Sequence, residues 1–152
     1  MDIKRGAPPS EVGAKPKLAS EITVNEAQRA FLVAKQKQYQ ARVTSIARTI
    51  RFKAPEQTDW HYEYFDALAK EKTVSLLLDT GKVSLAQVQT FLEEHVRTFW
   101  NNTYKNNPES AQSVIEQHLP LAMQACENAI GVMEAYNAGE LDKVQNAQTP
   151  KI

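Results

Sequence analysis

The apolar residues between Asn25 and Lys53 recur at helical spacing and predict the first helix of the chain. The seam of this helix consists of Leu32, Tyr39, Val43, Ile46 and Ile50. Steps of seven, four, three and four residues place these side chains on one narrow face. A face this narrow suits packing against one or two neighbouring helices. Asn25 is a predicted N-cap, and Pro55 predicts that the helix ends near Lys53 because the residue before a proline avoids helical geometry.

Two further helices follow, each bounded by residues typical of helix ends. The second is predicted to begin at the cap Thr58 and to stop at Gly81. The third begins at Ser84, where Gln87 three residues later would complete a capping box. Its apolar stripe is Leu85, Val88, Leu92, Val96, Phe99 and Thr103. Trp100 falls off this stripe, so it either packs on another helix or stays partly exposed.

A fourth helix is predicted from Asn107, as cap, and Pro108, as the first helical residue, to Gly139. Pro120 interrupts its apolar pattern, which indicates either a kink or a split into two helices after Leu119. No segment predicts a strand. Short connections make neighbouring helices antiparallel, so the predicted fold is all-α, an up-down bundle of four to five helices.

The predicted domain organisation is a single bundle with two terminal segments. Residues 22–138 form the bundle, and a chain of this length can bury a substantial core. Residues 1–21 are basic and proline-containing and predict a disordered arm. This arm is either a flexible tail or a segment that docks on a partner or binds nucleic acid. Residues 139–152 are expected to form a frayed C-terminal tail.

Charge is divided unevenly along a chain whose formal net charge is zero. Residues 1–53 hold eleven lysines and arginines against four acids, a net of +7, and the remainder has a net of −7. Such asymmetry is typical of proteins with a charged partner. The alternative is that a basic helix lies on an acidic bundle of its own chain and neutralises it. Nucleic acid, an acidic protein and a membrane surface are the remaining partners that the pattern allows.

The candidate binding residues are cations of the first helix and aromatic residues that follow it. The cations opposite the seam are Arg29, Lys37, Arg48 and Arg51, and those flanking it include Lys35 and Arg42. The aromatic candidates for interface anchors are Trp60, Tyr62 and Trp100. Tryptophan and tyrosine dominate interface hot spots. The competing interpretation places the aromatic cluster around Trp60 in the core of the bundle.

The sequence lacks the usual arrangements of catalytic and metal-ligating residues. His61, His95 and His118 show neither zinc spacing nor the Glu-x-x-His pairs of di-iron bundles. Cys126 is interpreted as a small buried apolar residue. No glycine-rich phosphate loop and no G-x-S-x-G nucleophile motif occurs. We therefore expect no enzymatic activity, no cofactor and no metal ion, with an unrecognised pocket as the alternative.

The predicted function is a non-enzymatic interaction or assembly module, such as an adaptor, structural or effector-like protein. The basic helix would bind another copy of the chain or an acidic protein surface. The alternative is a nucleic-acid-binding accessory protein that uses the basic face of helix 25–53. No membrane span or small-molecule ligand is expected. The absence of an apolar signal region predicts a cytoplasmic location, with export that needs no cleaved signal left open.

Overall fold

The computed structural model describes residues 21–140 and shows a bundle of four helices in that part of the chain. The helices are α1 (Arg29–Ile50), α2 (Thr58–Thr80), α3 (Leu85–Thr103) and α4 (Pro108–Asn137), and the strands are β1 (Glu21–Thr23) and β2 (Lys82–Ser84). The predicted all-α bundle is confirmed. The predicted arm, apart from Glu21, and the predicted tail from residue 141 onward lie outside the described residues.

The helices run alternately up and down, with α2 and α4 at the centre. α1 packs against α2, α2 against α4, and α4 against α3. Arg42 of α1 pairs with Glu63 near the start of α2, whereas Gln36 pairs with Ser75 farther along it, so α1 and α2 are antiparallel. The seam predicted for α1 faces this interface.

The helix ends follow the predicted capping residues in most places. Gly81 ends α2 with a φ of 86°, a left-handed conformation that suits glycine. Ser84 and Gln87 form the capping box at the start of α3. Asn107 caps α4 by accepting a hydrogen bond from the Ser110 amide. The predicted cap at Thr58 is wrong, since Thr58 is already the first helical residue.

The absence of strands was predicted wrongly. β1 and β2 form an antiparallel pair in which Ile22 lies opposite Val83. Both of these side chains are buried, and the flanking residues Glu21 and Lys82 are exposed. Val83 immediately precedes the cap of α3, so the strand pair joins the start of the described chain to the α2–α3 connection.

The structure excludes one of the two alternatives left open at Pro120 and corrects the predicted stripe of α3. α4 continues through Pro120 without a break, so the chain is not split after Leu119. Trp100 is only 3% exposed and extends the buried stripe of α3 from Val96. The buried residues of α3 recur every four positions, so the position after Val96 is Trp100, and Thr103 lies on the exposed side of the helix.

The α2–α4 interface contains one buried ion pair. Lys70 Nζ lies 3.1 Å from Asp66 Oδ2, and both side chains are at most 5% exposed. Asn128 of α4 donates a hydrogen bond to the other oxygen of Asp66 at 3.1 Å. A buried pair requires such partners because both charges have lost their hydration. The Asn128 hydrogen bond connects α4 to this ion pair on α2.

Candidate binding surface

Three predicted cations lie exposed on the outer side of α1, two within the helix and Arg51 directly after its last residue. Lys37, Arg48 and Arg51 are the basic face, and none of them forms an ion pair with another described residue. α1 contains no acidic residue between Arg29 and Ile50. Within residues 21–140, the basic face therefore presents positive charge to solvent without an ion-pair partner.

The cations Arg29 and Arg42 are engaged within the bundle. Arg29 Nε donates to Glu26 Oε1 at 2.9 Å, and its Nη1 donates to the Leu78 carbonyl at 3.4 Å. The Glu26 carboxylate holds the pKa of the Arg29 guanidinium above its usual value. Arg42 pairs with Glu63 of α2. Among the described residues, the bundle therefore neutralises Arg42 but does not neutralise the three cations of the basic face.

Lys35 does not belong to the exposed surface that the sequence suggested. It is 6% exposed, and its Nζ lies 4.8 Å above the centre of the Tyr136 ring. The ammonium group also donates to Gln38 Oε1 at 3.0 Å. Since Lys35 is three residues from Leu32 and four from Tyr39, it occupies the seam itself. Its long aliphatic stem can be buried there while the charge interacts with aromatic rings.

Two exposed aromatic residues lie beyond the C-terminal end of α1. Phe52 is 78% exposed and Trp60 is 40% exposed, and Lys53 Nζ lies 4.3 Å above the Trp60 ring. Sequence reasoning selected Trp60 but missed Phe52. The available signal was its position two residues after Ile50, which points it away from the seam. Aromatic and cationic side chains therefore alternate at this end of the basic face.

The other two predicted anchors lie inside the bundle or at its margin. Trp100 is buried and donates its Nε1 hydrogen to His118 Nδ1 at 3.2 Å. It is therefore not available as an interface anchor. Tyr62 is half-buried, and burial together with the nearby Asp66 carboxylate raises its pKa to about 12. Tyr62 consequently remains a neutral phenol at physiological pH.

Two histidines hold the connection between α1 and α2. His118 of α4 donates from Nε2 to the Pro55 carbonyl at 2.9 Å, and because Nδ1 accepts from Trp100, its ring is neutral. His61 of α2 donates from Nε2 to the Ala54 carbonyl at 3.1 Å. The two imidazole rings are 4.7 Å apart and almost completely buried. Sequence reasoning considered these histidines together as metal ligands but did not predict that His61 and His118 form a pair.

The histidines are poor proton acceptors in this environment. Burial lowers the pKa of His61, and a charge on His118 would lower it further. Burial also lowers the pKa of His118, although the hydrogen bond to Pro55 and the Glu56 charge oppose this shift. His95 interacts with the Tyr64 hydroxyl at 3.0 Å, and burial lowers its pKa too. At neutral pH the cluster is therefore uncharged.

The space beside the histidines is too small for an organic substrate. A cavity of about 10 Å³ is lined by His61, His95 and Trp100 among others, room for about one water molecule. Burial raises the pKa of the Cys126 thiol to about 12, so it is not a ready nucleophile. Residues 21–140 contain no group of three or more His, Cys, Asp or Glu side chains that could hold a metal ion. The basic face is therefore the best-supported candidate surface.

The comparisons with known proteins add no assignment to this geometry. No protein-family model, curated protein or solved structure matches the chain. Across the described residues, no helix has the length and apolarity needed to cross a membrane.

Proposed function

We propose that this protein is a non-enzymatic helical interaction module that binds an acidic protein surface through the basic face of α1. The observation that carries the proposal is the exposure of Lys37, Arg48 and Arg51 without an ion-pair partner among the described residues. Stripes of one charge steer association and select partners of the opposite charge. Phe52 and Trp60 supply apolar contact area at one end of the stripe.

The packing of α1 leaves this face uncovered by the other described residues. The opposite side of α1 is buried through Leu32, Tyr39, Ile46 and Ile50, which fix the helix on the bundle. The outer side carries only small or uncharged residues between the cations, such as Thr44. A second helix can approach such a surface closely, so that the cations reach its acids.

A photo-cross-linking amino acid at Thr44 would test the proposal in cells that normally make the protein. Thr90, exposed on α3, provides the matched control position. We expect adducts with an acidic protein, or with another copy of the chain, from position 44 but not from position 90. Adding Lys37→Glu and Arg48→Glu should remove them. Equal adduct yields from both positions would contradict the proposal.

The second candidate function is binding of single-stranded nucleic acid. Its supporting observation is Phe52, 78% exposed between Arg51 and Lys53. Bases stack on exposed aromatic rings while cations neutralise phosphates. The nearby exposed acids Glu56 and Asp59 weigh against it. Salt-dependent binding of labelled single-stranded nucleic acid, weakened by Phe52→Ala, would favour this candidate over the first.

A further inference from the structure

The outer side of α4 carries charge of the opposite sign to α1. Between Pro108 and Asn137, α4 contains four glutamates and no lysine or arginine. Glu116 and Glu127 are exposed and form no ion pair with another described residue. Within residues 21–140, Glu116 accepts a hydrogen bond only from Gln112 of the same helix. We define Glu116, Glu127 and the residues between them on this side as the acidic stripe.

The charges on the two helices have the same spacing. Lys37 and Arg48 of α1 are eleven residues apart, as are Glu116 and Glu127 of α4. Eleven residues make about three helical turns and a rise of about 16 Å, so each pair lies nearly on one line along its helix. Two such helices laid side by side can bring both pairs of opposite charges together.

The residues between the charges have complementary sizes. On α1 the line passes through Ala41 and Thr44, and on α4 it passes through Pro120 and Met123, in steps of four, three and four on both helices. Ala41, Thr44 and Pro120 are exposed, and Met123 is partly exposed. Small side chains on one helix and larger ones on the other allow close packing between the charged positions.

Each stripe also disfavours pairing with itself. Two basic faces would place Lys37 and Arg48 of one copy against the same cations of another, and two acidic stripes would repel each other in the same way. Only the unlike combination brings opposite charges into contact. The zero net charge of the chain keeps two copies from repelling each other strongly over a longer distance.

We infer that the partner of the basic face is a second copy of this chain, bound through the acidic stripe of its α4. This inference rests on the proposed function, since it names the acidic surface that the basic face recognises. Contacts between exposed charges are screened by salt, so the association should weaken as ionic strength rises.

Charge exchange between the stripes tests the inference with the purified full chain. One variant carries Lys37→Glu and Arg48→Glu, and the other carries Glu116→Lys and Glu127→Lys. Sedimentation should show self-association of the unaltered protein at low salt, weakened about tenfold or more in each variant alone. Mixing the two variants should restore association, because each then meets the opposite charge. A chain with all four changes should also associate with itself.

Two controls separate the charge pattern from net charge and folding. Lys82→Glu with Lys105→Glu alters the net charge as much as the first variant does, at exposed sites outside α1. This control should associate like the unaltered protein. Circular dichroism should show the same helix content in every variant, so that a loss of association can be assigned to the surface.

The outcomes distinguish this inference from the proposed function. Variants that lose association but are not restored by mixing would overturn the assignment to the acidic stripe. A protein that stays monomeric at low salt would overturn binding to a second copy altogether. In that case, adducts from Thr44 with a different acidic protein would still support the proposed function. Binding of nucleic acid by a monomeric protein would instead favour the second candidate.

Discussion

At one end of the bundle His61 and His118 hold the carbonyls of Ala54 and Pro55, and at the other Asn25 and Asn137 join β1 to the end of α4. Asn137 Oδ1 accepts from the Asn25 amide at 2.8 Å, and its Nδ2 donates to the Thr23 carbonyl at 2.8 Å. Both ends attach a connecting segment through side chains that bind backbone groups. Imidazoles titrate and amides do not, so only the histidine end contains groups that the unfolded chain protonates near pH 6.5.

The stability of one bundle can therefore depend on pH at one end only. The imidazoles are nearly inaccessible to water, so a proton on either would be costly. Protonation of His118 Nδ1 would also remove the acceptor for the Trp100 N–H. The amides of Asn25 and Asn137 keep their hydrogen bonds at any pH that leaves the rest of the protein folded.

His118→Leu should have the largest effect and would break the histidine end. The Trp100 N–H and the Pro55 carbonyl would lose their buried partner. We expect the free energy of unfolding to fall by about 3 kcal/mol, since each unsatisfied buried group costs about 1–3 kcal/mol. Urea unfolding followed by circular dichroism would measure this change. His95→Leu is the control, because His95 is half-buried and has one side-chain hydrogen bond, to the Tyr64 hydroxyl. It should lower the free energy of unfolding by less. Equal losses of stability in the two variants would contradict the special role of His118.

Mild acidification should have the next largest effect and should act through the histidine end. Because burial lowers the folded-state pKa values of His61 and His118, the unfolded chain binds protons first as the pH falls. Stability is therefore full above the unfolded value of about 6.5 and declines below it, by at most about 1.4 kcal/mol per pH unit for each histidine. We expect the free energy of unfolding to fall as the pH is lowered from 7.5 to 5.5, measured by urea unfolding at each pH. A flat profile over this range would contradict neutral buried histidines.

Asn137→Ala should have the smallest effect of the three and tests the other end. The change removes the side-chain hydrogen bonds to the Asn25 amide and the Thr23 carbonyl but keeps the backbone carbonyl that accepts from Asn25 Nδ2. We expect a loss of about 1.5 kcal/mol, because these groups are only partly buried and water can replace the amide. Urea unfolding at pH 7.5 and 5.5 should give the same loss at both. A loss that changes with pH would show that the two ends are coupled.

The helices were predictable because each must bury one face, and the apolar residues of that face recur in the sequence at helical spacing. The ends at Gly81, Ser84 and Asn107 were predictable because capping uses residues close together in the chain. Lys35 was misplaced because its charge suggested solvent, although its spacing from Leu32 and Tyr39 already put it on the seam.

The pairing of distant residues could not be predicted from local spacing. β1 and β2 are three residues each, too short to show an alternating pattern. His118 and Pro55 are 63 residues apart, so their contact depends on how α4 is placed beside α2. The cations of the basic face could be listed from the sequence. Which of these cations form an ion pair within the bundle could not be read from the sequence, because it depends on where Glu63 lies.

The contact between Asn25 and Asn137 also bears on the order in which the chain can fold during synthesis. It joins residues 112 positions apart, whereas α1 and α2 can pair as soon as both have left the ribosome. β1 can pair with β2 next, but the Asn137 side chain that bonds to Asn25 and Thr23 is made only with the last helical residue. The final turn of α4 therefore adds the last of these contacts, and a nascent chain stalled before Asn137 would lack the hydrogen bonds between Asn137 and residues Thr23 and Asn25.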